Sequence, residues 1–239
     1  MISYLFRINK IPIKPQKMSL SNEIFIFLKN LNQNNNRDWF TENKNLFKTN
    51  ESNVKKFGEE VKSRLDIFDS IEHFKLFRIY RDVRFSKNKT PYKTYFGLTW
   101  KRSKPQHRGG YYMHISPGNN FLSCGFWDPN SEDLKRIRQE LIQDSNEFKN
   151  IITADPFHSI WGDLQGNELK TAPQGADKMH PDINLIRKKQ YIFSIKYSDL
   201  EVCDPDFLNI IESALKNIRP FVDYMSEILS TDKNGEYLF

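Results

Sequence analysis

The chain is poor in cysteine and glycine and has no long hydrophobic run. Its two cysteines, Cys124 and Cys203, stand far apart with no metal-ligand spacing near either. That argues against a disulfide framework or a zinc knuckle and suits a reducing cytoplasm. No stretch approaches the roughly 18 consecutive apolar residues of a membrane-spanning helix, so no membrane partner is expected. The glycines form no dinucleotide fingerprint, and Ser86 to Lys93 lacks those through which backbone amides wrap a phosphate. The amino-terminal MISYLFRINKIPIKPQKM contains no acid, and Arg7, Lys10, Pro12 and Lys14 break up its apolar residues before a signal-peptide core is reached. Residues 1–18 therefore read as an extension or tail, and 19–239 as one domain. No short motif asks for a cofactor or a metal. His73, His107 and His180 can ligate one only by long-range convergence.

What is present is aromatic and unevenly charged. The 19 Phe, 10 Tyr and 4 Trp supply a sizeable core. Eleven of the 36 basic residues, but one of the 30 acids, Asp82, lie between Lys75 and Arg108. The formal charge of +6 is thus a concentrated basic zone set on a mildly acidic body.

Periodicity divides the chain. Ile24, Phe27, Leu28 and Leu31 recur at helical spacing behind Ser19 or Ser21 as caps, and the Asn-rich run 32–36 ends that helix. A second helix near Asp38 carries Trp39, Phe40, Leu46 and Phe47, and a third starts at about Ser52. From Phe74 the period becomes two. Phe77, Ile79, Val83 and Phe85 are expected on the buried side of a strand, with Arg78, Tyr80, Asp82 and Arg84 opposite. Phe96 to Trp100, Tyr111 to Ser116, Phe121 to Trp127 and Tyr191 to Ile195 repeat the alternation, with a turn at Ser116 to Asn119. Ser131 is expected to cap a further helix. Asp204 and Pro205 open a terminal one that Pro220 interrupts. Helices, then strands, then helices predict an α+β fold, a mainly antiparallel sheet packed with amino- and carboxy-terminal helices.

The densest polar constellation is RIYRDVRFSKNKTPYK, residues 78–93. Arginine forks pair with phosphate or carboxylate, and lysines add mobile point charges. Arg78, Arg81, Arg84, Lys87, Lys89 and Lys93 are therefore the ligand-binding candidates, with Tyr80 and Tyr112 as ring contacts. The expected partner is an anion, a nucleic acid or a phosphorylated metabolite. The competing reading is a solvated strand face with a basic loop. For proton transfer the candidates are His114, which shares a strand face with Tyr112 and Ser116, and Asp82, alone among the arginines. A structural, hydrogen-bonded histidine is the alternative for His114. Three functions stay open: a binding module, an enzyme acting on a phosphorylated or nucleic-acid substrate, and a protein-interaction domain without a small ligand.

The blocks RIYRDVRFSKNKTPYKTYFG and GYYMHISPGNNFLSCGFW, with NNNRDWF upstream and Lys170, Pro173, Gly175, His180 and Pro181 downstream, resemble an uncharacterised family, domain of unknown function 2461. The resemblance runs from about Leu20 to Met225. It departs at Tyr95, where many relatives have His, and at Thr171-Ala172, where a more basic, Pro-rich pair is usual. It implies a family and no activity.

Overall fold

The computed structural model describes residues 19–232 and 234–239; the tail expected over 1–18 lies outside the described residues. Three helices come first, α1 (Glu23–Gln33), α2 (Arg37–Glu42) and α3 (Lys44–Leu65), followed by β1 (Ile71–Leu76), β2 (Phe96–Arg102), β3 (Gly110–Ile115) and β4 (Asn120–Phe126). Four helices, α4 (Ser131–Gln143), α5 (Asn146–Thr153), α6 (Phe157–Trp161) and α7 (Ile183–Ile186), precede β5 (Tyr191–Tyr197). Then α8 (Asp199–Cys203), α9 (Phe207–Asn217) and α10 (Arg219–Ser230) close the fold. The strands form one antiparallel sheet in the order β1-β2-β3-β4-β5, so the fold is α+β. Among the described residues no helix is long and apolar enough to cross a membrane.

Alternation decides which face the sheet buries. Leu98 and Trp100 of β2, Tyr111 and Met113 of β3, Leu122 and Cys124 of β4 and Tyr191 and Phe193 of β5 are buried. The intervening Thr99, Tyr112, His114 and Phe121 are half-exposed on the other side. Helix α3 reaches the buried face at Gly58, where a Cβ would come within 2.2 Å of the Phe74 ring. The missing side chain leaves the Gly58 carbonyl open to the Trp100 indole N–H, which donates to it at 2.9 Å. The terminal helix opens at Phe207 behind Asp206 rather than at Asp204 and Pro205, Asp204 instead closing α8, and the interruption expected near Pro220 falls at Ile218, with Pro220 in the first turn of α10.

Several local expectations need correction. Asn22, rather than Ser19 or Ser21, occupies the N-cap of α1, and no side chain caps it. At α4 the cap is Asn130, whose Oδ1 accepts from the Asp133 N–H at 2.8 Å, and Ser131 is the first helical residue. Leu46 and Phe47 belong to α3, which starts at Lys44. The largest change concerns the first strand. It ends at Leu76, with the Phe77 N–H still donating to the Gly97 carbonyl at 2.9 Å, and residues 78–95 leave the sheet and fold on themselves around a Tyr80–Tyr92 bridge. Phe85, assigned to the buried side, is 96% exposed.

Two members of the basic zone are also not surface charges. Arg102, at the end of β2, has a side chain 0% exposed. Its Nε donates to Asp69 at 2.9 Å, Nη2 to Asp223 at 2.5 Å, and Nη1 to the Val222 carbonyl at 2.9 Å and the Ser226 hydroxyl at 2.8 Å. Asp69 also accepts from the Tyr111 hydroxyl at 2.5 Å and pairs with Arg219. Burial pushes the Asp69 carboxyl up, but Arg102, the Tyr111 hydroxyl and Arg219 outweigh it and hold the group below its ordinary range. Arg108 is partly buried against Asp133.

Removing one partner of a buried ion pair leaves the other uncompensated, a loss of about 3–5 kcal/mol. Asp69→Asn is therefore expected to lower the unfolding free energy by about that much in urea titrations at pH 7. A folded-state pKa below the unfolded one contributes stability present above the unfolded value and lost as pH falls through the folded one. The gap between the two proteins should accordingly narrow as pH drops below 3.8, the ordinary value for this group. An unchanged gap at low pH would contradict the role given to the carboxylate.

Candidate functional site

Between β1 and β2 the chain makes an arm, residues 78–93, folded on itself. The Arg81 N–H donates to the Pro91 carbonyl at 2.9 Å and the Lys93 N–H to the Ile79 carbonyl at 2.7 Å, around a bridge between Tyr80 and Tyr92. Asn35, in the turn between α1 and α2, holds the arm as a neighbouring strand would. Its Nδ2 donates to the Tyr92 carbonyl at 3.0 Å and its Oδ1 accepts from the Tyr92 N–H at 3.1 Å. The Tyr92 ring stacks on Phe40 with centroids 3.9 Å apart, and Tyr80 meets the same ring edge-on at 6.0 Å. Near the tip, Asn88 Oδ1 accepts from both the N–H and the hydroxyl of Thr90, at 2.9 and 2.8 Å. Such Asx turns set a loop without glycine.

The arm and the α1–α2 turn enclose an open cleft of ≈ 480 Å³. Arg81, Asp82, Asn88, Thr90 and Tyr92 to Tyr95 line it from the arm side, and Asn32 of α1 and Asn35 of the α1–α2 turn from the other. Arg81 is half-buried and spends one N–H on the Thr90 hydroxyl at 2.5 Å, which aims the guanidinium and leaves other donors for a ligand. Lys93 donates to the Arg78 carbonyl at 3.0 Å and lies over the rings of Phe77 and Tyr95, at 5.6 and 5.8 Å. Burial, then Arg78 and Lys75, lower its pKa. An added anion would offset that crowding of positive charge.

The remaining candidates divide. Asp82 accepts from Arg84 Nη2 at 2.6 Å and Nε at 3.0 Å; this hydrogen bonding holds its carboxyl below the usual range and occupies Arg84. Lys89 donates to the Val83 carbonyl at 3.0 Å, and Lys87 is exposed at the tip; neither lines the cleft. Arg78 is exposed beside Lys93, and Tyr80 is partly exposed. The structure thus brings together Arg81, Asp82 and Lys93 and leaves Arg84, Lys87 and Lys89 on the arm's outside.

Tyr112 and His114 stand on the open face of the sheet, next to the cleft through Tyr95. Gly97, His114 and Phe121 oppose one another across β2, β3 and β4. Because Gly97 has no side chain, Phe77 and Tyr112 lean over it; a Cβ there would lie 2.9 Å from the Tyr112 hydroxyl. His114 is sandwiched between Tyr95, at 4.3 Å, and Phe121, at 4.8 Å, and its Nδ1 meets the Tyr112 hydroxyl at 3.1 Å. Burial lowers its pKa to about 4, and burial followed by Tyr95 pushes Tyr112 up to about 12. Both groups are neutral across the physiological range. Ser116 donates to the Thr94 carbonyl at 3.3 Å and serves the turn. Among the described residues no three His, Cys, Asp or Glu converge as a metal site.

Asn32, Asn35, Asn88 and Thr90 were not anticipated as site residues. The Asn-rich run was legible only as a helix end, since its partner Tyr92 lies 57 positions away.

His114 gives a pH test. A neutral folded histidine has a pKa depressed from 6.5 to about 4, so the unfolded chain binds the proton more tightly and stability falls as pH drops from about 6.5 toward 4. Ring resonances should titrate near pH 4 in NMR, and His114→Phe should remove this part of the pH dependence. A midpoint near 6.5 would show the ring to be solvated.

No curated protein and no solved structure matches the chain. A family described as "Conserved hypothetical protein (DUF2461)" does, over residues 23–224, and the blocks that line the cleft and cross the open sheet face fall inside that span. With most of its length matched, the chain belongs to the DUF2461 family.

Proposed function

We propose that the protein binds a phosphate-bearing ligand in the cleft between the arm and the α1–α2 turn, with a planar ring of the ligand on the adjoining aromatic face. One observation carries this reading: Arg81 and Lys93 both line the cleft while the one carboxylate in its lining, Asp82, is paired to Arg84. A guanidinium aimed by Thr90 offers a fork for phosphate oxygens, and Lys93 adds a partly desolvated point charge. Asn32, Asn35 and Thr90 can complete a hydrogen-bonding shell. Tyr95, Tyr112 and Phe121 are half-exposed and next to Lys93 or His114, where stacking is available. Binding is favoured over acid–base catalysis because burial moves the pKa of His114 and of Tyr112 away from neutral pH in opposite directions, and both stay uncharged there. The unpaired Cys124 and Cys203 support a reducing, cytoplasmic setting.

The test compares inorganic phosphate, adenosine monophosphate and a short oligothymidylate by titration calorimetry across salt concentrations. The paired change Arg81→Ala and Lys93→Ala should weaken binding by at least about tenfold, because charge-assisted hydrogen bonds contribute about 1.5–3 kcal/mol each. With the oligonucleotide it should also reduce the log–log salt slope by about 0.7 per lost phosphate contact. Lys55→Ala with Lys56→Ala on α3 removes equal charge at a distance and should leave affinity within about twofold. Equal losses in both pairs would reduce the effect to net charge, and absence of binding by the unmodified protein would end the proposal.

A further inference from the structure

A second cleft, of ≈ 470 Å³, has the opposite character. Its walls are one face of α4 with the start of α5, the carboxy-terminal half of α10, and the turn that follows. Helical spacing builds the first wall, since Arg136, Gln139, Glu140 and Gln143 recur at intervals of three and four. Among the described residues, Glu140, Glu147, Glu227 and Asp232 stand there against a single guanidinium, Arg136. Arg136 is engaged internally: its Nη2 donates to the carbonyls of Ile228, at 2.9 Å, and Thr231. Asp232 accepts from the N–H groups of Asn234 and Glu236, at 2.8 and 3.0 Å. Glu140, Glu147 and Glu227 have no side-chain hydrogen bond or ion pair among the described residues.

An acidic wall alone is commonplace; Tyr224 distinguishes this one. It lines the cleft, is 8% exposed, and its hydroxyl is buried with no hydrogen-bond partner among the described residues. Buried hydroxyls are ordinarily paired, so an orphan one marks a place where a partner is missing. Burial first, and then Glu140 and Glu147, push its pKa upward, which puts the hydroxyl within the field of those carboxylates and keeps it neutral. A neutral phenol oxygen retains lone pairs for an N–H donor.

We propose that this cleft binds a small linear di- or polyamine, whose ammonium groups meet Glu140, Glu147 and Glu227 while one N–H is accepted by the Tyr224 hydroxyl. A single metal ion fits poorly, because among the described residues no three acidic, His or Cys side chains gather closely enough to share one. Carboxylates spread over α4, α5 and α10 instead match charges spread along a chain. The site is independent of the phosphate cleft, which the end of α1, the α1–α2 turn and the arm build.

Titration of the full chain with spermidine at low salt is expected to give saturable binding and a rise in Tm. Glu140→Gln with Glu227→Gln removes two charge-assisted contacts and should weaken binding by at least about tenfold. Tyr224→Phe keeps the ring and should weaken it about two- to tenfold. Gln143→Glu adds a carboxylate to the same wall and should tighten it about twofold or more, a gain that no folding defect can imitate. Glu23→Gln with Glu42→Gln, on exposed positions of α1 and α2, is the distant control of equal charge. The proposal fails if spermidine does not saturate, if the control pair loses as much affinity as the cleft pair, if Tyr224→Phe and Gln143→Glu both bind as the unmodified protein does, or if magnesium at equal charge concentration binds as tightly.

Discussion

The fork of Arg102 ties the two halves of the fold together. From the last residue of β2 it reaches Asp69, in the link between α3 and β1, and Asp223, Val222 and Ser226 on α10, so that link, the sheet and the carboxy-terminal helix meet in one charge cluster around a buried guanidinium. A guanidinium without water must satisfy five N–H donors; Asp69 and the Arg108 carbonyl take some, and only a specific approach of α10 to the end of β2 supplies the remaining acceptors. Apolar packing tolerates sliding; this cluster does not. The register of α10 against β2, and with it the wall of the acidic cleft, follows from that requirement.

The arm obeys a different logic. It takes no sheet partner of its own and is attached through Asn35, Phe40 and its own bridge at Tyr80 and Tyr92. Two amide hydrogen bonds and a stacked ring pair position Arg81 and Lys93 across from Asn32 and Asn35. A site assembled this way combines a rigid base with a tip whose charges, Arg84, Lys87 and Lys89, remain in water. Exposed charges of that kind contribute little to stability but set the local potential.

Much of the architecture was readable from period alone. Phe96, Leu98 and Trp100, and Tyr111, Met113 and Ile115, alternate on a buried face, which made β2 and β3 plain, and the run of antiparallel neighbours followed. The same alternation misled beyond Leu76. Ile79 is buried and Tyr80 exposed, as a strand requires, yet this segment pairs with its own return at Tyr92 and not with a strand of the sheet. Periodicity reports which side of a segment is covered and not by what. Charge counting failed at Arg102 for a related reason: Asp69 and Asp223 lie 33 and 121 positions away, and a run of basic residues gives no sign of which member will be drawn inside. Tyr224 and its acidic neighbours come from three helices, α4 and α5 before β5 and α10 after it, and showed no local pattern.

The order of the strands bears on how the chain assembles. β2, β3 and β4 pair with their sequence neighbours across short connections, so this part of the sheet can zip from local encounters. β5 joins only after residues 127–190, with α4 to α7, have been brought round to lay it beside β4. Loop closure over that length has an entropic cost that the β4–β5 ladder offsets together with the packing of Phe148 and Phe157 on Tyr191, Phe193 and Phe221, so contact order predicts late docking of β5. Until it docks, the unpaired edge of β4, with Leu122 and Cys124, is the segment most open to pairing with another chain.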